Sequence, residues 1–387
     1  MNIPPRVRKF APLLIVAAVA IGGYALFANR ERVYYQVESV LPPGDSDAVQ
    51  GILKEDLTVE DFKTIATNLE IPWDIAFLPG GDMLVTERPG RLKRIGKDGA
   101  ITEITGVADV RRSGEGGLLG VAVHPKFDEN GWIYLYQTIT SGNSAKNRVD
   151  RYRLEGSALV ERTTIIQNIP GAIYHDGGEL VFGADGKLYV TTGDAGQGAL
   201  AQDLKSLAGK ILRLNDDGTI PEGNPFGTAV WTYGHRNPQG LAWDGQGRLW
   251  ATEHGRSGVQ SGLDELNLIE AGKNYGWPNF EGDEVGEGMT KPIVHSGPTY
   301  TWAPAGMAFH AGSMFFGGLR GESLYQAKIG ESPVKVLLHF EKEYGRIRAV
   351  VKGPDDMLYF TTSNRDGRGS PKPGDDKIVR VNPRLFQ

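Results

Sequence analysis

The chain has no cysteine. That excludes disulfides, thiolate metal sites, iron–sulfur clusters and cysteine nucleophiles. It does not locate the chain, because an oxidising compartment need not be used for cross-links. Basic tracts are missing too: 42 Lys and Arg against 47 Asp and Glu leave a net charge of −5 without a cationic stripe, which speaks against nucleic acid as a partner. Helical periodicity is scarce after residue 60, apart from a short turn near residues 201–207, so the alternating helices of a doubly wound sheet are absent. No H-E-x-x-H and no G-x-S-x-G occurs, and no phosphate-cradling loop opens a helix, which disfavours a nicotinamide enzyme. Asp216-Asp217-Gly218 and Asp355-Asp356 lack the alternating ligand spacing of an EF-hand and read as hairpin turns.

Glycine, by contrast, is abundant: 53 of 387 residues, about twice the average share of roughly 7%. Because glycine disfavours helix, the excess points to turns and strands. Arg6, Arg8 and Lys9 precede an uncharged run of 20 residues from Phe10 to Asn29. Residues 1–29 therefore read as a secretory signal or a single membrane anchor. Leu26-Phe27-Ala28 is a poor small-x-small cleavage site, which favours an uncleaved anchor with an exported body, periplasmic or on the outer face of the cytoplasmic membrane. Residues 30–60, with Leu41-Pro42-Pro43-Gly44-Asp45-Ser46-Asp47, have linker composition.

From there on a phrase recurs: a short apolar strand, a Gly/Asp/Asn turn, and a second apolar strand ending in Thr or another polar residue. Copies begin at Trp73, Leu119, Gly178, Gln239, Ala305 and Ile347. Asp-Gly and Asn-Gly supply the positive φ of tight hairpins, and LYVTT and LWATE alternate as strands do. Six hairpins spaced roughly 43 to 65 residues apart fit propeller blades plus loops. The expectation is an all-β, six-bladed β-propeller over residues 61–387, with a segment near Phe62 to Thr67 pairing with the last blade to close the ring and loops on one face converging on the central channel.

Polar residues crowd one stretch, Trp231 to Pro278, which holds Arg236, Asn237, Gln239, His254, Arg256, Asp264 and Glu265 among turn glycines. They read as the wall of a site. His175, in a loop entering a strand and beside Asp176, suits a general base whose imidazole a carboxylate orients; it equally suits a solvated loop histidine. Arg236 suits stabilisation of a developing oxyanion or a bidentate grip on a carboxylate, or the anchoring of a surface loop. Arg346 and Arg348 share one strand face. Such like charges call for an anion between them, such as a multi-carboxylate cofactor, or for a solvated face. Asp194, at a strand end, could accept sugar hydroxyls or belong to a Gly-Asp turn.

The phrases IPWDIAF, GEGGLLGVAVHP, YHDGGEL, TTGDAG, LAGKILRLNDDGTIP, YGHRNPQGL, ATEHG, DELNLI, KNYGWP and YGRIRAV, in that order from Leu69 to Asn382, resemble the soluble pyrroloquinoline quinone (PQQ)-dependent aldose sugar dehydrogenases of the glucose/sorbosone dehydrogenase family. The resemblance implies a six-bladed quinoprotein that passes hydride from a sugar C1 to the quinone, giving a lactone, with electrons leaving to an external acceptor. It implies His175 as the base, Asp176 orienting it, Arg236 polarising the quinone oxygen, Asn237, Arg346 and Arg348 holding the cofactor, and Asp194 contacting the sugar. It further implies Ca²⁺ on the backbone carbonyls of Gly255-Arg256, where the family has Gly-Pro. Glu115 stands where a related glucose enzyme has Gln, and Arg320 matches a cofactor-binding Lys. Short interblade loops imply an open site with broad sugar acceptance. A non-catalytic propeller binding carbohydrate or protein is the alternative, disfavoured because His175, Arg236, Arg346 and Arg348 are all present. A calcium-dependent lactone hydrolase would require an acidic and Asn cluster that the sequence does not assemble.

Overall fold

The computed structural model describes residues 61–258 and 261–386. The signal or anchor at 1–29 and the linker at 30–60 lie outside the described residues. Six four-stranded antiparallel sheets follow one another in sequence. Each opens with a strand packed against the next sheet, and the sixth returns to the first, which closes the ring of a six-bladed β-propeller. The opening strands are Pro72–Phe77, Leu118–Val123, Leu180–Phe182, Pro238–Trp243, Pro304–His310 and Ile347–Lys352, and each begins within three residues of its recurring hairpin.

The hairpin turns follow from local chemistry. In the third blade the N–H of Gly186, at φ 71°, donates to the Gly183 carbonyl at 2.9 Å, while Asp185 Oδ1 accepts the Lys187 N–H at 3.1 Å. Closure, by contrast, joins the two ends of the described chain. Phe62–Ala66 pairs antiparallel with Ile378–Val381, Phe62 opposite Val381, so the sixth blade takes its outer strand from the start of the described chain. Phe62 is seated by the rings of Phe340 and Tyr344, with centroids 5.8 and 5.6 Å away.

Apolar side chains fill the spaces between blades; Tyr134, Tyr136, Leu188, Val190 and Leu212 form one such layer. Burying each stabilises the fold by about 1.5–3 kcal/mol. Near the axis the backbones themselves approach: a Cβ on Gly120 would stand 2.2 Å from the Gly178 carbonyl oxygen, and one on Gly240 2.5 Å from the Ala305 carbonyl oxygen, so three of the first strands carry glycine there, at Gly120, Gly240 and Gly306. In an antiparallel pair the start of the first strand and the end of the second lie at the same end. The segments entering each first strand and leaving each second strand therefore gather at one mouth of the channel.

Candidate active site

Those segments deliver the chemistry. His175 enters the third blade and Asp194 leaves its second strand, Leu188–Thr192. His175 Nδ1 lies 2.7 Å from Asp194 Oδ1. Asp194 Oδ1 also accepts the Gly196 N–H at 2.7 Å, and Oδ2 accepts the Trp277 indole N–H at 2.8 Å. Burial pushes the Asp194 carboxyl up, but the imidazole and these donors outweigh it and hold it below the usual range. Two further bonds fix His175, which adopts φ 62°: its N–H donates to Glu115 Oε2 at 2.9 Å, and its carbonyl accepts the Ala195 N–H at 3.2 Å. Burial pushes Glu115 upward as well, yet the His175 N–H and the Arg368 guanidinium at 2.6 Å bring it down to about 2. Its charge is spent on the loop and on Arg368.

Two expectations change here. Asp176 does not orient the imidazole. Its Oδ1 faces Asn147 Nδ2 at 2.9 Å and the Ala172 N–H at 3.2 Å, its Oδ2 is buried without a partner, and burial raises it to about 6. Consecutive residues in a loop point apart, so the neighbour in sequence is not the neighbour in space. Asp194 takes that place instead, holding the imidazole through Oδ1, a role the sequence reading did not give it.

Four buried guanidinium groups face the same mouth. Arg236 donates from Nη2 to Ser257 Oγ at 2.9 Å and lies over Trp277, 5.3 Å from the ring centroid. The Glu253 carboxylate accepts its backbone N–H. Arg348 donates only to Gln239 Oε1 at 3.2 Å, its Nε has no partner, and burial brings its side chain down to about 9. Among the described residues neither Arg236 nor Arg348 has a carboxylate within ion-pair distance. Arg346 differs: it grips Asp366 Oδ2 from Nε at 2.9 Å and Nη2 at 2.8 Å, and the Leu319 carbonyl from Nη1. The anion expected beside this arginine pair is thus partly supplied by the protein. Arg88, which leaves the second strand of the first blade, reaches only the Asp366 carbonyl at 3.3 Å, and its Nε is unpartnered.

Asn237 Oδ1 accepts the Gly177 N–H at 3.0 Å, while its Nδ2 is buried without a partner. His254 sits among Glu115, Arg236, Arg348 and His175, with Nε2 unpartnered; burial, reinforced by the two arginines, brings it down to about 3, so the ring is neutral. Arg320 is exposed and donates to Ser261 Oγ at 2.8 Å. The Gly255 N–H donates to Asp264 Oδ1 at 2.8 Å, and the Arg256 side chain pairs with Glu281 at 3.0 Å. Among the described residues no three His, Asp or Glu side chains converge as a metal-binding group.

Arg88 and Asp366 were not singled out as site residues from sequence, and His254 was named only as part of a polar wall. A signal existed in the repeat: Thr86-Glu87-Arg88, Thr252-Glu253-His254 and Thr192-Gly193-Asp194 occupy the same place after the second strand of three blades. Whatever follows that threonine by two residues reaches the mouth.

The mouth thus joins a carboxylate-held imidazole to under-compensated arginines, an arrangement with the charge to hold an anionic small molecule beside a proton acceptor. The sequence matches the family described as Glucose / Sorbosone dehydrogenase over residues 69–377, and the chain belongs to that family. It is 33% identical over 359 residues to aldose sugar dehydrogenase YliI of Escherichia coli K12, covering 84% of this chain and 93% of the relative. The PQQ-bound form of aldose sugar dehydrogenase from Streptomyces coelicolor superposes with TM-score 0.77 at 42% identity, over 82% of this chain and 96% of that one. The apo form of the soluble E. coli aldose sugar dehydrogenase superposes with TM-score 0.75 at 31% identity, over 84% and 99%.

Proposed function

We propose that the chain oxidises aldose sugars at C1 to lactones, with PQQ as its cofactor and an external molecule as the final electron acceptor. One observation carries the reading: buried arginines without carboxylate partners stand beside an imidazole whose Nδ1 is held by Asp194. The residues fit a planar ligand bearing several carboxylates. Arg348 and Arg88 have unpartnered Nε atoms and Asn237 an unpartnered Nδ2, and burying a charge without a partner is costly unless a ligand compensates it.

When bound, the quinone supplies the hydride acceptor. The protein does the rest. With Nδ1 committed to Asp194, His175 Nε2 is the atom that takes the proton of the C1 hydroxyl, and Asp194 stabilises the imidazolium that results. Arg236 is placed to stabilise negative charge developing on an oxygen. Asn237, Arg346, Arg348 and Arg88 would hold the cofactor's carboxylates and carbonyls, with exposed Arg320 as a further cation for it; Glu115 fixes the His175 loop. Ca²⁺ takes hard oxygen ligands, and the backbone carbonyls at Gly255 and Arg256, together with the ligand's own oxygens, would hold it. The N-terminal segment would carry the enzyme to the periplasm or the outer face of the cytoplasmic membrane.

The test is reconstitution. Purified apo-protein is given PQQ and Ca²⁺, and sugar-dependent dye reduction is followed. His175→Ala should abolish turnover while cofactor binding persists. Absence of dye reduction with every aldose tried would instead support a propeller used only for binding.

A further inference from the structure

Two large apolar side chains stand in water at the mouth: Ile173, 60% exposed, and Tyr174, 42% exposed. They directly precede His175. The backbone is tied on both sides of Tyr174, since the Ile173 carbonyl accepts the Glu115 N–H at 3.0 Å and the His175 N–H donates to Glu115 Oε2 at 2.9 Å. The ring itself is held. It meets the His175 imidazole edge-on, centroids 4.9 Å apart at 63°. It also lies over Gly196, where an added Cβ would stand 2.6 Å from Tyr174 Cε2. Gly196 in turn donates its N–H to Asp194 Oδ1 at 2.7 Å. Ring, imidazole and Asp194 therefore form one fixed unit, and the glycine is what makes room for the aromatic.

An immobilised aromatic ring left bare beside the base is not required by packing. The negative face of an aromatic ring attracts the slightly positive C–H groups that a pyranose carries on its apolar face. We infer that Tyr174 is the substrate platform: its exposed ring takes the C–H face of an aldopyranose and sets the C1 hydroxyl against His175 Nε2. This rests on the sugar-oxidising reading and adds the shape of sugar that the mouth accepts. Because a ring face reads C–H surface rather than the pattern of hydroxyls, several aldopyranoses should bind with similar affinity.

The test uses the reconstituted holoenzyme with D-glucose, D-galactose and D-xylose. Tyr174→Ala should raise KM about five- to tenfold for each sugar, the size of one aromatic contact. It should leave the PQQ titration within about twofold. Tyr174→Phe keeps the ring and should keep KM. If the alanine variant is poorly folded, Tyr174→Leu, which retains apolar bulk on Gly196 without a π face, should show the same rise. An unchanged KM in the alanine or leucine variant, or a phenylalanine variant as impaired as alanine, overturns the platform while leaving the oxidation standing. A wild-type holoenzyme that oxidises none of the three sugars overturns both.

Discussion

Arg348→Met separates the requirements of the empty fold from those of its ligand. The Arg348 guanidinium is fully buried and brought from its ordinary 12.5 to about 9, first by burial, then by Arg88 and Arg346, against the partial relief of Asp366 and Glu115. At about 1.36 kcal/mol for each pH unit, retaining that charge at neutral pH costs the fold at most about 5 kcal/mol. Methionine keeps the aliphatic bulk and removes the charge. The variant gives up the hydrogen bond to Gln239 and the contact over Trp73, 5.5 Å from the ring centroid, together about 2–4 kcal/mol. The apo variant should be more stable than the wild type by about 1–3 kcal/mol, seen as a melting temperature higher by a few degrees. The sign with pH follows. Above pH 9 the folded wild type sheds a proton that the unfolded chain keeps, so its stability rises with pH and the gap to the variant narrows. With cofactor the balance shifts toward the wild type by about 2.3 kcal/mol. At a PQQ concentration of about 100 Kd the wild type gains about 2.7 kcal/mol; a hundredfold weaker variant gains about 0.4 kcal/mol at the same concentration. Scanning calorimetry with and without PQQ reads both effects. A variant that melts below the wild type when empty, yet keeps the full cofactor-induced rise, would refute the assignment of Arg348 as an anion holder.

Asp194→Asn removes the charge that stabilises a protonated His175. Its kcat should fall roughly 10- to 100-fold, the worth of a charge-assisted hydrogen bond, while cofactor affinity measured by titration stays level. Gly193→Ala would place a Cβ 1.9 Å from the His175 carbonyl oxygen; dye-reduction assays should show at least about tenfold lower kcat, because small displacements of a catalytic group are costly. Asp176 is raised by burial to about 6, so between about pH 4 and 6 the folded chain holds a proton that the unfolded chain has lost, and stability falls as pH rises. Asp176→Asn should flatten that fall, with denaturation midpoints gaining more at pH 8 than at pH 4. Removing Ca²⁺ with a chelator should abolish dye reduction, and Ca²⁺ should restore it better than Mg²⁺, whose octahedral demand backbone carbonyls meet poorly.

The ring of hairpins was legible because it rests on local chemistry. The Asp-Gly turns, the two-residue alternation and the recurrence of six copies are all properties of short segments. That His175, Arg236 and Arg348 stand at or beside strand ends was also legible, from the hairpin pattern. Which carboxylate holds the imidazole was not. Asp176 is adjacent in sequence and turns toward Asn147, whereas Asp194 comes from the far end of the next strand and meets His175 at 2.7 Å. Likewise Asp366, twenty residues beyond Arg346, pairs with that arginine, whereas Arg348 is left with only Gln239 as its hydrogen-bond partner among the described residues. Sequence alone therefore determined the blades, their number and the pool of reactive side chains, because strand and turn propensities act over a few residues. Only the closed tertiary ring decided the pairings, because burial and charge depend on which strand ends the curvature brings to the same mouth.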